Sequence, residues 1–228
     1  MFFWAGGSTI LRNVASSSAT LAVAVLVLAT SIPCLACYSG LAATPTADMV
    51  PAGQYCLEPQ FDGTCDGGSV GTRILNTQFG ITPRFEAGVD LDLSDDADPR
   101  VLGNFKYLAV NGGTRSPAVA LGVCNMGSNM RSSPYVVSLH DFGALRGHVG
   151  LMRIEGNNRW FIGADRSLTD RLMLMADYTS GDENCSSVGF NYQFNERFGI
   201  LGGVLFPNTD GEETGFTLHF VFTGSYLS

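Results

Sequence analysis

The stretch Val188-Gly189-Phe190-Asn191-Tyr192-Gln193-Phe194-Asn195 decides the architecture. Val188, Phe190, Tyr192 and Phe194 share one face of an extended chain, and Gly189, Asn191, Gln193 and Asn195 share the other. A period of two belongs to a strand with one apolar and one polar surface; a helix would spread the aromatic residues around its circumference. Working outward, Phe85–Leu93 opposes an apolar row to Glu86, Gly88, Asp90 and Asp92. Leu172, Leu174, Ala176 and Tyr178 alternate with Met173, Met175, Asp177 and Thr179. Phe216, Leu218, Phe220 and Phe222 line one side of the last segment. Extending the reading gives about twelve strands, at 53–61, 73–81, 84–93, 101–110, 117–126, 134–142, 145–154, 159–168, 171–179, 185–194, 197–206 and 214–222. Most approach the nine to eleven residues that a tilted strand needs to cross a bilayer.

The connections carry a second signal. Turns at Thr82-Pro83, Phe142–Ala144, Thr169-Asp170 and Asn195-Glu196 are short. Intervening connections are longer and mostly acidic: 62–72, 94–99, 181–184 and 208–213, with 126–133 long but not acidic, and 111–116 breaking the rhythm. Short turns at one end and long loops at the other characterise outer-membrane barrels. An even strand count puts both termini at the short-turn end, the periplasmic side.

Period alone does not say which face is inside, and soluble barrels or sandwiches turn the apolar face inward. Residue chemistry points the other way. The polar faces are rich in glycine and neutral amides with isolated charges of both signs, whereas a soluble surface carries more Lys and Glu; Lys and Arg total only 13. The expectation is a closed antiparallel transmembrane β-barrel, all-β, with Arg84, Glu86, Asp90, Lys106, Arg146, His148 and Asp177 facing the lumen.

With 228 residues, 45% hydrophobic and 15% charged, the chain is long and apolar enough for one such barrel. A net charge of -8 and the lack of a basic stripe exclude a nucleic-acid partner as an expectation. Residues 19–32 form an apolar run, ended by Pro33 and followed by Cys34-Leu35-Ala36, which reads as a secretory signal cleaved near residue 36. An uncleaved anchor and a lipid-modified Cys37 are the competing readings. Residues 37–52 then form a polar N-terminal segment, 53–224 the barrel and 225–228 a short tail. Cys56 and Cys65 flank a turn-like stretch and are close enough in sequence for a local disulfide in an oxidising compartment.

Residues 171–194 (RLMLMADYTSGDENCSSVGFNYQF), 196–222 and 45–93 resemble uncharacterised bacterial outer-membrane barrel proteins of the transporter-like or porin-like type. The first reads as paired strands with a Gly-containing hairpin, the second as a closing hairpin, the third as an opening one. Glu213-Thr214-Gly215-Phe216-Thr217-Leu218-His219-Phe220 resembles the C-terminal pattern recognised by the barrel-assembly machinery, although residues 223–228 follow its aromatic end. The resemblance implies outer-membrane lipids and that machinery as partners, sometimes passage of small solutes, and no catalytic residues.

Chemistry-bearing constellations are sparse. His140 and His148, on neighbouring strands of a tight hairpin, are expected to be lumenal neighbours, and His219 lumenal too; no nucleophile motif accompanies them. Asp95, Asp96 and Asp98, and Asp210, Glu212 and Glu213, offer oxygen ligands for weak divalent-cation binding, but neither has EF-hand spacing. No metal site and no cofactor is expected. The functional expectation is a non-enzymatic narrow solute channel or structural barrel. The alternatives are a secreted soluble β-sandwich that binds a ligand and, less favoured, an outer-membrane hydrolase or acyltransferase.

Overall fold

A computed structural model describes residues 40–95, 98–127 and 131–227. The signal segment, Cys34 and Cys37 lie outside the described residues, as do Asp96 and Ala97 of one acidic loop. Twelve strands follow one another around a closed barrel, every neighbouring pair antiparallel. They are β1 (Gln54–Thr64), β2 (Val70–Thr82), β3 (Phe85–Asp92), β4 (Arg100–Val110), β5 (Ala118–Met126) and β6 (Ser133–Asp141). The second half comprises β7 (Arg146–Ile154), β8 (Asn157–Ser167), β9 (Leu172–Thr179), β10 (Cys185–Asn195), β11 (Phe198–Pro207) and β12 (Gly215–Ser225). No strand end departs by more than three residues from its expected position.

The faces sort as the residue chemistry indicated. Val101, Val149, Leu151, Ile162 and Val188 are exposed on the outer wall, while Glu86, Lys106, His148, Asp165, Asn191 and His219 are buried inside. A soluble barrel would reverse this, because exposing so many large apolar side chains to water costs about 25 cal/mol per Å². An apolar exterior around a polar interior is the arrangement that lipid stabilises. Aromatic rings collect near the end where β1 begins and β12 finishes: Phe194 stacks on Phe198 at 5.2 Å, and Phe198 meets Phe222 at 5.1 Å. Trp160 and Tyr178, 5.1 Å apart, sit towards the opposite rim. Such girdles suit the two interfaces of a bilayer.

Two details depart from the simple rhythm. At the long-loop end, β7 and β8 are joined by Glu155-Gly156 alone, both at positive φ (52° and 90°), which gives a mirror-image turn whose twist matches the strands. The second departure is larger. Residues 40–53 do not precede the barrel as a loose tail but lie inside it, with Leu41, Ala42, Thr44, Thr46, Ala47 and Val50 all buried. A tight turn caps the inner end, where Leu41 N–H donates to the Thr44 carbonyl at 2.8 Å.

Candidate functional site: the lumen and its resident segment

The lumen is built where the inner face of the wall meets residues 40–53. Gly53, at φ +80°, turns the chain from the segment into β1, and its N–H donates to the Gly80 carbonyl at 2.8 Å. The wall is thinned where the segment passes. A Cβ on Gly80 would lie 2.2 Å from the Pro51 carbonyl oxygen, and one on Gly163 would lie 2.3 Å from Leu41 Cδ1. Only glycine permits so close an approach of backbone or side chain.

Polar anchors hold the segment along its length. Val50 N–H donates to Glu86 Oε2 at 2.6 Å. Glu86 Oε1 pairs with Lys106 Nζ at 3.1 Å, and that ammonium also donates to the Thr46 carbonyl at 3.3 Å. The register of β3 and β4 sets Glu86 directly opposite Lys106. Asp48 takes one arm of Arg146 at 3.0 Å, while the guanidinium fork grips Asp165 at 2.8 and 2.9 Å. Asp165 also meets His148 Nε2 at 2.7 Å, and Asp177 accepts the Ala43 N–H at 3.1 Å. Apolar contacts fill between these anchors. Leu41, Ala42 and Val50 join Cys56, Met173, Met175, Leu201 and Val221, while Ala47 joins Leu108, Ala120, Val137 and Phe161.

A second polar chain crosses the seam where the barrel closes. Glu58 Oε1 contacts His219 Nδ1, His219 Nε2 contacts Thr217 Oγ1 at 2.6 Å, and Thr217 donates to Asp62 at 2.6 Å. Gln60 donates to Asp62 at 2.8 Å and accepts from Asn76 of β2 at 2.8 Å. The pairing of β1 with β12 is interrupted at Glu58 and Pro59. Proline has no N–H to give, and the Glu58 side chain reaches His219 across the seam beside that lapse. The order carboxylate, imidazole, hydroxyl copies that of a hydrolase relay, but here the Thr217 hydroxyl donates to Asp62.

At the end where β1 begins and β12 finishes, a cavity of ≈ 830 Å³ opens between Ala47–Met49 of the segment, the 111–116 connection and the turn after β6. Among the described residues no three His, Cys, Asp or Glu side chains gather as a metal site. On the rim opposite, Arg159 grips Glu183 by a two-pronged contact at 2.7 and 2.9 Å. The Glu183 carboxyl is held below the usual glutamate range, first by its own backbone N–H and then by Arg159.

Six of the seven residues expected in the lumen, Glu86, Asp90, Lys106, Arg146, His148 and Asp177, project from the inner wall. Arg84 is a correction: it sits exposed in the turn between β2 and β3, because Pro83-Arg84 is the turn itself and the alternation ends at Phe85. The Cys56–Cys65 disulfide is also corrected. Cys56 is disulfide-bonded but Cys65 is free, as are Cys124 and Cys185. Cys56 points into the lumen, whereas Cys65 lies in the exposed loop beyond β1. Nor are His140 and His148 partners. Leu139, not His140, stands opposite His148, so His140 turns outward against Phe142 with ring centroids 4.7 Å apart. Arg166 stands opposite the outward Leu174, on the outer face of β8. Sequence reading missed the part played by residues 40–53, Asp48 among them, and the Glu58–His219–Thr217–Asp62 chain.

No protein-family model matches the chain, and no curated protein matches it. Its fold is nonetheless shared with solved structures. A KdgM porin superposes with a TM-score of 0.60 at 9% sequence identity, over 73% of this chain and 98% of that one. A KdgM porin in complex with disordered oligogalacturonate superposes with a TM-score of 0.55 at the same identity and coverage. The likeness lies in the porin-like twelve-stranded barrel.

Proposed function

We propose that the chain is an outer-membrane β-barrel of bacteria that passes small solutes by passive diffusion, along a bore narrowed by its own residues 40–53. The observation that carries this reading is the inversion of the wall: large apolar side chains exposed outside, ionisable and amide side chains buried inside. Twelve strands fall between filled eight-stranded barrels and open sixteen-stranded porins, so a short internal segment is enough to reduce the bore. Diffusive passage requires only a wettable path and no covalent chemistry. The porin barrels sharing the fold support the reading, as does the assembly-type pattern over Glu213–Phe220. Outer-membrane lipids and the assembly machinery are the partners it calls for.

The test is single-channel recording in planar bilayers with the purified full chain and with a form lacking residues 40–50. Small, steady conductance steps are expected from the full chain and larger ones from the shortened form. Folded protein that is silent in both forms would overturn the channel and leave a structural barrel.

A further inference from the structure

We infer that this bore selects small cations; the inference rests on the channel reading above and names the solute class. The cationic side chains of the inner wall are already matched. Lys106 is held by Glu86, Arg146 by Asp165 and Asp48, and Arg100 by Asp92 at 2.6 Å. Among the described residues three carboxylates of β1 and β3, Glu58, Asp62 and Asp90, have no ammonium or guanidinium partner, Glu58 having the His219 imidazole alone; Asp177 of β9 is also without one. Glu58 meets His219; Asp62 receives Thr217 and Gln60; Asp90 receives the Thr77 N–H at 2.9 Å and Asn104 Nδ2 at 2.8 Å. They occupy β1 and β3, on either side of β2, and form one acidic strip.

A second, independent observation points the same way. Buried atoms without a partner on the inner wall include five amide or carboxylate oxygens: Gln78 Oε1, Asn104 Oδ1, Asp177 Oδ1, Asn191 Oδ1 and Gln193 Oε1. Asn104, only 6% exposed, stands on the strand next to Asp90 and donates to that carboxylate, leaving its own oxygen buried without a partner. Asn191 Nδ2 is an unpartnered donor among them, so acceptor oxygens are in surplus, and such a surplus is complemented by a donor or a hard cation. The long-loop rim adds Asp66, Asp182, Asp210, Glu212 and Glu213, a field that concentrates cations at the mouth. A polyanion such as oligogalacturonate, found in complex with one barrel of this fold, meets like charge here.

The test is the reversal potential of the full chain in a planar bilayer under a KCl gradient, repeated with Glu58→Gln, Asp62→Asn and Asp90→Asn combined. The wild type should pass K⁺ over Cl⁻ by about five-fold, and the triple variant should fall towards parity. Should the triple variant lose its folded form on a gel, Asp90→Asn alone is scored, since the amide retains the shape of the carboxylate. A conducting wild type with no ion preference, or with anion preference, overturns the inference and spares the channel. Cation preference that survives the substitutions overturns the assignment to these carboxylates. Silence of both the full chain and the form lacking residues 40–50 overturns the channel itself and the selectivity with it.

Discussion

Lys106 and Glu86 show what a single pair does inside this barrel. Both side chains are almost wholly excluded from solvent, and each also serves the resident segment. Removing one partner leaves a buried charge uncompensated, which costs about 3–5 kcal/mol, whereas replacing both can be nearly neutral. Lys106→Met should therefore lower stability by that amount in urea unfolding from detergent micelles, and Lys106→Met with Glu86→Gln should recover most of it. Arg84→Ala, in the exposed turn, should change stability by no more than about 0.5 kcal/mol. The pair was legible because Glu86 and Lys106 each sit on the polar face of an unambiguous strand. Arg84 was misread because the alternation with Glu86 was carried two residues back into a turn. Cys56 and Cys65 were joined on sequence distance, which does not register that one faces the lumen and the other lies beyond the strand.

At the scale of elements, β10 is the cleanest case, and every second residue could be assigned before the register was known. Phe190 stands on the outer wall opposite Gly202, and Asn191 stands inside opposite Leu201. Phe190→Asp puts a charge into the lipid-facing wall, at a cost of roughly 2 kcal/mol near mid-bilayer plus the lost aromatic contact. Asn191→Leu removes two buried polar atoms that have no partner. In a membrane-insertion assay Phe190→Asp should impair assembly much more than Asn191→Leu; equal tolerance would contradict the facing. The loop between β9 and β10 is pinned by Arg159 and Glu183. A carboxyl with a lowered folded value contributes fully above its unfolded range and loses the contribution only as pH falls through the folded one. NMR titration of Glu183 should thus find the contact intact at a pH where an ordinary glutamate is already half protonated. His140 shows the limit of element-level reading: its strand was recognised, but the register against β7 decides its face, and Leu139 takes the position opposite His148.

For the whole molecule, closure of the barrel was legible in strand count, strand length and the alternation of connections. The resident segment was not. Residues 40–53 have no repeating period, and two prolines interrupt them. Their partners, such as Asp177 for Ala43, lie 134 residues away in the chain. Contacts of that kind follow from the closed wall and leave no local pattern. The glycines that admit the segment were visible only as turn or strand residues. Gly163→Val would place its side chain against Leu41, so the segment should be displaced and the single-channel conductance raised, with the barrel still folded. Unchanged conductance would mean that the segment does not limit the bore.

A closed wall that is apolar outside is the property on which every function proposed for this chain depends. Electrophoretic mobility of protein from the membrane fraction, solubilised in mild detergent and run with and without boiling, tests this most directly. A compact band that shifts on heating, absent from the soluble fraction, is the result predicted. Protein recovered without detergent, and migrating identically before and after boiling, would contradict it.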